Sequence, residues 1–188
     1  MTPIRTFIAI EIPEDIRNRI AVLQSGLKGL GGKITWVKPE NMHLTMKFLG
    51  ETEQHQVKNI FDKLDQAVSS INQFEIKFKE VGAFPNFRRP KVFWVGTEGD
   101  NSTLIEVANK IDQQMCEFGF RPENKRFSAH LTIGRVRDQK GIETVIKLLQ
   151  QEENFSPGEF VVKHVSFIKS ELTRLGPIYT TLEQIKLN

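Results

Sequence analysis

The chain has 188 residues, of which 39% are hydrophobic and 26% charged, and its formal net charge is +3. This composition is ordinary for a globular protein of one domain, and the small positive charge permits an anionic partner without requiring one. The single cysteine excludes an internal disulfide, and the sequence has neither a signal-peptide pattern nor a stretch of about 20 apolar residues, so we expect a cytoplasmic protein without a membrane span.

The first half of the sequence predicts strands that alternate with helices. Pro13 stands where a helix can begin, and the apolar residues that follow it recur at spacings of three and four as far as Leu30, before a glycine-rich stretch. A second helix is predicted at residues 53–69. Strands are predicted at residues 6–12, 34–37, 43–49 and 74–78.

The second half continues in the same way, without a low-complexity segment or a long linker. Residues 82–90, GAFPNFRRP, are predicted to be a loop. Strands are predicted at residues 92–95, 130–136, 160–172 and 179–187, and helices at residues 104–118 and 142–150. Because many of the strands are expected to be adjacent and antiparallel, the pattern favours an α+β fold over a doubly wound parallel sheet.

Two of the four histidines begin nearly identical segments, HLTMKFLG at His43 and HLTIGRVR at His130. The segments lie 87 residues apart, and each falls on a predicted strand that follows a helix. We interpret this as a weak internal repeat of about half the chain. It suggests a duplicated lobe with pseudo-twofold symmetry.

The His-x-Thr pattern places both polar side chains on one face of a strand, because residues i and i+2 point the same way. His43 and Thr45 would face a cleft between the lobes, as would His130 and Thr132. A neutral imidazole can accept a proton while a protonated one donates a proton, and threonine hydroxyls can bind phosphate oxygens. The alternative interpretation of the pattern is two packed or surface histidines.

A metal site is the main chemical rival, and the spacing does not favour it. Each His-x-Thr strand supplies one good metal ligand, whereas metal sites prefer closely spaced histidines, carboxylates or thiolates. His55 and His164 do not lie at ligand spacing to the pair. We expect His55 to be solvated and His164 to be a strand residue whose polar atoms are satisfied. Cys116 is interpreted as a packing residue, and we expect neither metal nor cofactor.

The paired motifs and their flanks resemble the 2H phosphoesterase superfamily, and within it the RNA 2′,3′-cyclic phosphodiesterase (2′-5′ RNA ligase) family. The segments TFIAIEIP, HLTMKFLGE, GAFPNFRRPKVFWVG, FSAHLTIGRVR and SFIKSELTRLGPIYTTLE carry the resemblance over nearly the whole chain. The resemblance implies one domain over residues 1–188, made of two interleaved lobes. Antiparallel-rich sheets would line a central cleft, with the helices outside.

The same resemblance implies hydrolysis of RNA 2′,3′-cyclic phosphate to a 2′-phosphomonoester without metal. It makes His43 the proton donor and His130 the proton acceptor, an assignment that the residues alone leave open. Thr45, Thr132 and Arg135 would bind the phosphate. Arg135 lies at odd spacing from His130, so it reaches the cleft only if the strand twists or ends there.

Four further residues are candidate contacts of a base or of the RNA backbone. Phe48 has the parity of Met46, so core packing is favoured over base stacking. Tyr179 resembles a position near the cleft of the family, and strand packing is the alternative. Arg88 and Arg89 would form a backbone-binding edge or a solvated loop.

The sequence therefore predicts a monomeric enzyme that acts on RNA ends and has no obligate protein partner. Reversible 2′-5′ ligation would be a side activity. One alternative is a related 2H phosphoesterase that acts on a small cyclic phosphate nucleotide. The other is an RNA-end-binding module with little turnover.

Overall fold

The computed structural model describes residues 2–174 and 176–188, and these residues form nine strands and four α-helices. Every pair of neighbouring strands is antiparallel, which confirms the predicted α+β class. The strands are β1 (Ile4–Glu11), β2 (Lys33–Trp36), β3 (His43–Thr52), β4 (Phe74–Phe84), β5 (Val92–Glu98), β6 (His130–Asp138), β7 (Gly158–Val162), β8 (His164–Thr173) and β9 (Gly176–Lys186). The helices are α1 (Glu14–Leu27), α2 (Val57–Val68), α3 (Ser102–Glu117) and α4 (Glu143–Gln151).

The strands form two sheets, and the two halves of the chain exchange strands between them. The first sheet has the order β3-β1-β8-β9, and the second has the order β2-β6-β5-β4-β7. The triplet β3-β1-β8 in the first sheet corresponds to β6-β5-β4 in the second, and each triplet takes its third strand from the other half of the chain. This exchange gives the duplicated, pseudo-twofold arrangement that the repeat predicted.

The helices cover the outer faces of the sheets. Helices α2 and α3 contact each other and lie against β9 and β3 of the first sheet, while α4 contacts β4 of the second. Helix α1 is fastened to the second sheet by buried Gln24, whose Nε2 donates to the carbonyls of Val37 at 2.9 Å and Ile133 at 2.8 Å. The apolar faces of both sheets join one hydrophobic core, which includes Leu44 and Leu131.

Several boundaries differ from the sequence-based expectations. The strand predicted at residues 160–172 is two strands, because the chain leaves the second sheet after Val162 and enters the first at His164. The predicted loop at residues 82–90 begins later, since β4 continues to Phe84. Helix α1 ends at Leu27, where Lys28 is extended and Gly29 has a φ of 82°, so Leu30 lies beyond the helix and is exposed.

Two features concern the limits of the described chain. The family-like segment SFIKSELTRLGPIYTTLE contains Leu175, which lies outside the described residues, as does Met1. Within residues 2–174 and 176–188, none of the helices is long and apolar enough to cross a membrane.

Candidate active site

The two His-x-Thr motifs occupy equivalent places at the starts of β3 and β6. His43 and His130 are the first residues of these strands. Burial follows the same order through the first seven residues of each strand: histidine and threonine are half-buried, and the leucine between them is fully buried. Leu44 and Leu131 therefore anchor the strands in the core, and the polar pairs lie on the opposite faces, as predicted.

Each strand then contains a β-bulge at the same distance from its histidine. In β3, Thr45 pairs with Ala9 and Lys47 pairs with Ile8, which leaves Met46 as the extra residue. In β6, Thr132 pairs with Trp94 and Gly134 with Phe93, which leaves Ile133 as the extra residue. An extra residue reverses the alternation of side chains, so the fifth residue after each histidine turns to the same face of the strand as the histidine. Those residues are Phe48 and Arg135.

The bulges decide two sequence-based expectations. The expectation that Phe48 packs in the core is wrong: its side chain is 55% exposed, and its ring lies 6.0 Å from that of Phe7. Arg135 had the wrong parity for the cleft in a regular strand, and the bulge at Ile133 corrects it. Phe48 and Arg135 are thus counterparts in the two halves, an aromatic ring in one and a guanidinium in the other.

Both imidazoles are held by the same kind of hydrogen bond. Nδ1 of His43 donates to the carbonyl of Asn41 at 2.9 Å, and Nδ1 of His130 donates to the carbonyl of Ser128 at 2.8 Å. A carbonyl only accepts, so Nδ1 carries a hydrogen in each ring. Nε2 is then the atom that can exchange a proton with a ligand. The hydrogen bond at Nδ1 also fixes the orientation of each ring.

The pKa of His43 on β3 is affected by a charge on β6. The pKa of His43 is lowered to about 4, mainly by burial and in part by the Arg135 charge, while the hydrogen bond to Asn41 and the Glu11 charge act in the opposite direction. Arg135 from β6 therefore lies close enough to affect His43 on β3. With this pKa, the His43 imidazole is neutral at pH 7.

The threonines of the two motifs have hydroxyls that are free for a ligand. Thr45 and Thr132 are half-buried and lie two residues beyond the histidines, on the same face. Within the part of the chain that the structure describes, neither hydroxyl makes a hydrogen bond. Hydroxyl donors beside a guanidinium suit the non-bridging oxygens of a phosphate.

Aromatic rings support each imidazole, and they include three residues that the sequence did not single out. The His43 ring lies 4.6 Å from Phe7 and 5.2 Å from Tyr179, the second contact edge-on. The predicted position of Tyr179 near the cleft thus corresponds to a direct contact. On the other side, the His130 ring lies 4.9 Å from Phe84, which lies 5.3 Å from Trp94.

Trp94 requires a glycine on the neighbouring strand. Its indole lies so close to Gly82 of β4 that a Cβ there would come within 2.0 Å of the ring. Aromatic and small residues that alternate on adjacent strands are the sequence pattern that accompanies this packing. Gly82 and Trp94 together hold Phe84 against His130.

A buried ion pair lies behind the first motif. The bulge turns Lys47 toward the core, where its side chain is fully buried and bonds to Asp112 of α3 and to the Arg121 carbonyl at 2.8 Å. Asp112 also accepts from the Glu123 backbone N–H at 3.1 Å. These contacts fasten the segment after α3, which leads to Ser128 and His130, to the strand that carries His43.

The remaining candidates take no part in the contacts described above. Arg88 and Arg89 are exposed in the turn after β4, where their backbone N–H groups donate to Asn86 Oδ1. His55 and His164 are exposed. Cys116 is partly buried, and burial raises the pKa of its thiol. Among residues 2–174 and 176–188, no three His, Cys, Asp or Glu side chains lie together as ligands for one metal ion.

Comparison with protein families identifies the two halves of the chain separately. A family model described as LigT-like phosphoesterase matches residues 10–94 and again residues 95–179. Each match contains one His-x-Thr motif. Together the two matches cover most of the chain.

Relatives match along almost the whole chain. An RNA 2′,3′-cyclic phosphodiesterase of Methanocaldococcus jannaschii is 39% identical, over 96% of this chain and 99% of the relative. An RNA 2′,3′-cyclic phosphodiesterase of Methanothermobacter thermautotrophicus is 33% identical, over 98% of this chain and 99% of the relative. Among solved structures, E. coli LigT complexed with 3′-AMP superposes with a TM-score of 0.80 at 24% identity, covering 99% of each chain. That structural likeness concerns the fold.

Proposed function

The chain belongs to the LigT-like phosphoesterase family, and we propose that it hydrolyses the 2′,3′-cyclic phosphate ends of RNA to 2′-phosphomonoesters. The observation that carries the proposal is the matched pair of imidazoles, each with Nδ1 bonded to the carbonyl two residues before it. Two Nε2 atoms are thereby available for proton transfer. The names of the relatives with 33% and 39% identity support the same substrate class.

In the proposed reaction, His130 acts as the base. Its Nε2 takes a proton from water as the water oxygen attacks phosphorus. The bond between phosphorus and O3′ breaks, and His43 gives a proton to O3′, which leaves a 2′-phosphate and a 3′-hydroxyl. General acid–base catalysis of this kind contributes roughly 10² to 10⁴ in rate.

Thr45, Thr132 and Arg135 are the proposed phosphate-binding residues. Their hydroxyls and guanidinium would bind the non-bridging oxygens, where negative charge accumulates as the ring opens. Phe48 and Tyr179 are the proposed contacts of the terminal nucleoside, because the exposed ring of Phe48 can stack on any base and the half-buried ring of Tyr179 lies against His43. Arg88 and Arg89 remain proposed contacts of the RNA backbone at the rim.

The donor role of His43 requires a change on substrate binding. Its lowered pKa leaves it unprotonated at pH 7. A bound phosphate would neutralise Arg135 and add a negative charge beside the imidazole, and both effects raise the pKa. If the pKa stays low with phosphate bound, the roles of the two histidines are reversed.

The same site would support 2′-5′ ligation. A ribose 5′-hydroxyl that replaces water as the nucleophile uses the same base and acid, and it forms a 2′-5′ phosphodiester. We propose ligation as a reversible side activity. We also propose that the enzyme is a cytoplasmic monomer that needs no metal, cofactor or obligate protein partner, as expected from the sequence.

The test is incubation of an oligonucleotide ending in a 2′,3′-cyclic phosphate with purified protein in excess EDTA. We expect an oligonucleotide with a 2′-phosphate and a free 3′-hydroxyl, separated from its 3′-phosphate isomer by chromatography. Loss of activity in EDTA would contradict the metal-independent mechanism. Faster turnover of a cyclic mononucleotide would favour the small-nucleotide alternative, and tight binding without product would favour an RNA-end-binding module.

A further inference from the structure

A pocket opens beyond Phe48, on the side of the first sheet that faces the candidate active site. It has a volume of about 370 Å³ and is lined by Pro3, Arg5, Gly50, Glu51, Ser170 and Leu172. We call it the Arg5 pocket. None of its lining residues was singled out by the sequence or used by the proposed reaction.

The strand β1 connects this pocket to the active site. Arg5 and Phe7 are two residues apart, so their side chains share one face, and Phe7 contacts His43, Phe48 and Tyr179 on that face. Thr45 pairs with Ala9. At about 3.3 Å per residue, the Cα of Arg5 lies about 13 Å along the strand from this pair, so the pocket is separate from the place proposed for the reacting phosphate.

The guanidinium of Arg5 is available to an anion. Within the described ranges 2–174 and 176–188, its side chain makes no hydrogen bond or ion pair. Burial raises the pKa of Tyr179, while the charges of Arg135 and Arg5 both lower it. Tyr179 therefore lies within range of two cations, one from the phosphate-binding set and one from the pocket.

The other polar groups of the pocket define its charge. Ser170 is buried and lines the pocket, so its hydroxyl can contribute a hydrogen bond. Glu51 is the direct cross-strand partner of Arg5 and opposes it with a carboxylate. The exposed ring of Phe48 lies between the pocket and His43.

We propose that the Arg5 pocket binds a backbone phosphodiester upstream of the reacting end of the RNA, with Arg5 as its charged contact. The inference rests on the proposed function, because the pocket would hold the RNA chain that leads to the reacting cyclic phosphate. An oligonucleotide carries a phosphodiester between every two nucleosides, and a guanidinium can bind two of its oxygens at once. Phe48 would stack on the base between the two phosphates.

The test compares substrates of increasing length. Cyclic mononucleotide, dinucleotide and tetranucleotide substrates, each with a 2′,3′-cyclic phosphate, are assayed with wild type and with Arg5→Gln. We expect Arg5→Gln to raise the KM of the tetranucleotide about fivefold, the size of one exposed charge contact, without changing its kcat. The KM of the mononucleotide should not change, because it has no upstream phosphodiester.

Three variants serve as matched controls. Arg5→Lys keeps the charge and should recover most of the tetranucleotide affinity. Glu51→Gln removes the opposing carboxylate and should lower the KM of the tetranucleotide. Lys147→Ala, an exposed lysine on helix α4 outside the cleft, should leave every KM unchanged.

A binding measurement separates this inference from the proposed function. Fluorescence anisotropy of labelled oligonucleotides ending in a 2′-phosphate gives Kd without turnover. Arg5→Gln should raise the Kd of the tetranucleotide about fivefold. It should also reduce the slope of log Kd against log salt concentration by about the value of one phosphate contact. The inference is overturned if Arg5→Gln leaves tetranucleotide affinity unchanged or weakens mononucleotide and tetranucleotide equally. Arg5-dependent binding by a protein that hydrolyses neither substrate would refute the proposed reaction and support the pocket.

Discussion

The two motif histidines have the same hydrogen bond but different surroundings. His43 is enclosed by Phe7 and Tyr179 and lies within range of Arg135, and these features hold its pKa at about 4. Within the described part of the chain, His130 contacts one ring, that of Phe84. The asymmetry arises although the sequences around the two histidines are nearly identical, because the aromatic and charged neighbours come from other strands.

We predict that phosphate binding raises the pKa of His43. In a two-dimensional NMR titration, the His43 ring should titrate near pH 4 in the free protein. With saturating 2′-phosphorylated nucleotide, its pKa should rise by about two units, because the ligand adds negative charge and neutralises Arg135. An Arg135→Gln variant should start from a higher pKa and show a smaller rise. A pKa that stays near 4 in the complex would contradict the donor role of His43.

At the scale of elements, the bulges in β3 and β6 determine which side chains reach the cleft. The alternation of the first four residues predicted the positions of His43, Thr45, His130 and Thr132 from the sequence. The positions of Phe48 and Arg135 could not be predicted, since a bulge adds one residue without a local sign in the sequence. Likewise, Phe7 and Phe84 reach the histidines only through strand pairing across long separations, and Trp94 reaches Phe84 through strand pairing as well.

The burial of Lys47 is another feature that the sequence alone does not predict. A lysine between Met46 and Phe48 suggests a solvated side chain, yet the bulge buries it against Asp112. The partner lies 65 residues away on α3, and the resulting contact holds the segment that leads to His130. Periodicity predicted most of the strands and helices, whereas this long-range pair required the tertiary structure.

We predict that Asp112→Ala destabilises the protein by about 3–5 kcal/mol, because it leaves the Lys47 charge buried without its partner. The measurement is urea unfolding followed by circular dichroism. The matched control is Asp62→Ala, which removes the exposed pair Lys58–Asp62 on helix α2 and should cost at most about 0.5 kcal/mol. Equal effects of the two substitutions would show that the Lys47 pair is not important for stability.

At the scale of the whole molecule, the exchange of β4 and β8 between the halves ties the two sheets together. Neither half can complete its three-strand unit alone, and a single core runs behind both sheets. We therefore propose that residues 1–188 form one domain of two interleaved lobes rather than two domains. The active site then depends on the integrity of both lobes.

This proposal predicts a single unfolding transition. Trp36 and Trp94 both lie in the second sheet, so tryptophan fluorescence reports on that sheet, while far-UV circular dichroism reports on the whole chain. In urea the two signals should change together, as in two-state unfolding. A fluorescence midpoint that differs from the circular dichroism midpoint would indicate lobes that unfold separately.

The central claim is that one histidine from each half of the chain acts in a single acid–base pair. The most direct measurement is kcat for an oligonucleotide 2′,3′-cyclic phosphate with wild type, His43→Ala, His130→Ala and the double variant. We predict that each single substitution lowers kcat by roughly 10² to 10⁴, and that the double variant is far less impaired than the product of the two losses. If either single variant keeps most of the wild-type kcat, the paired mechanism is contradicted.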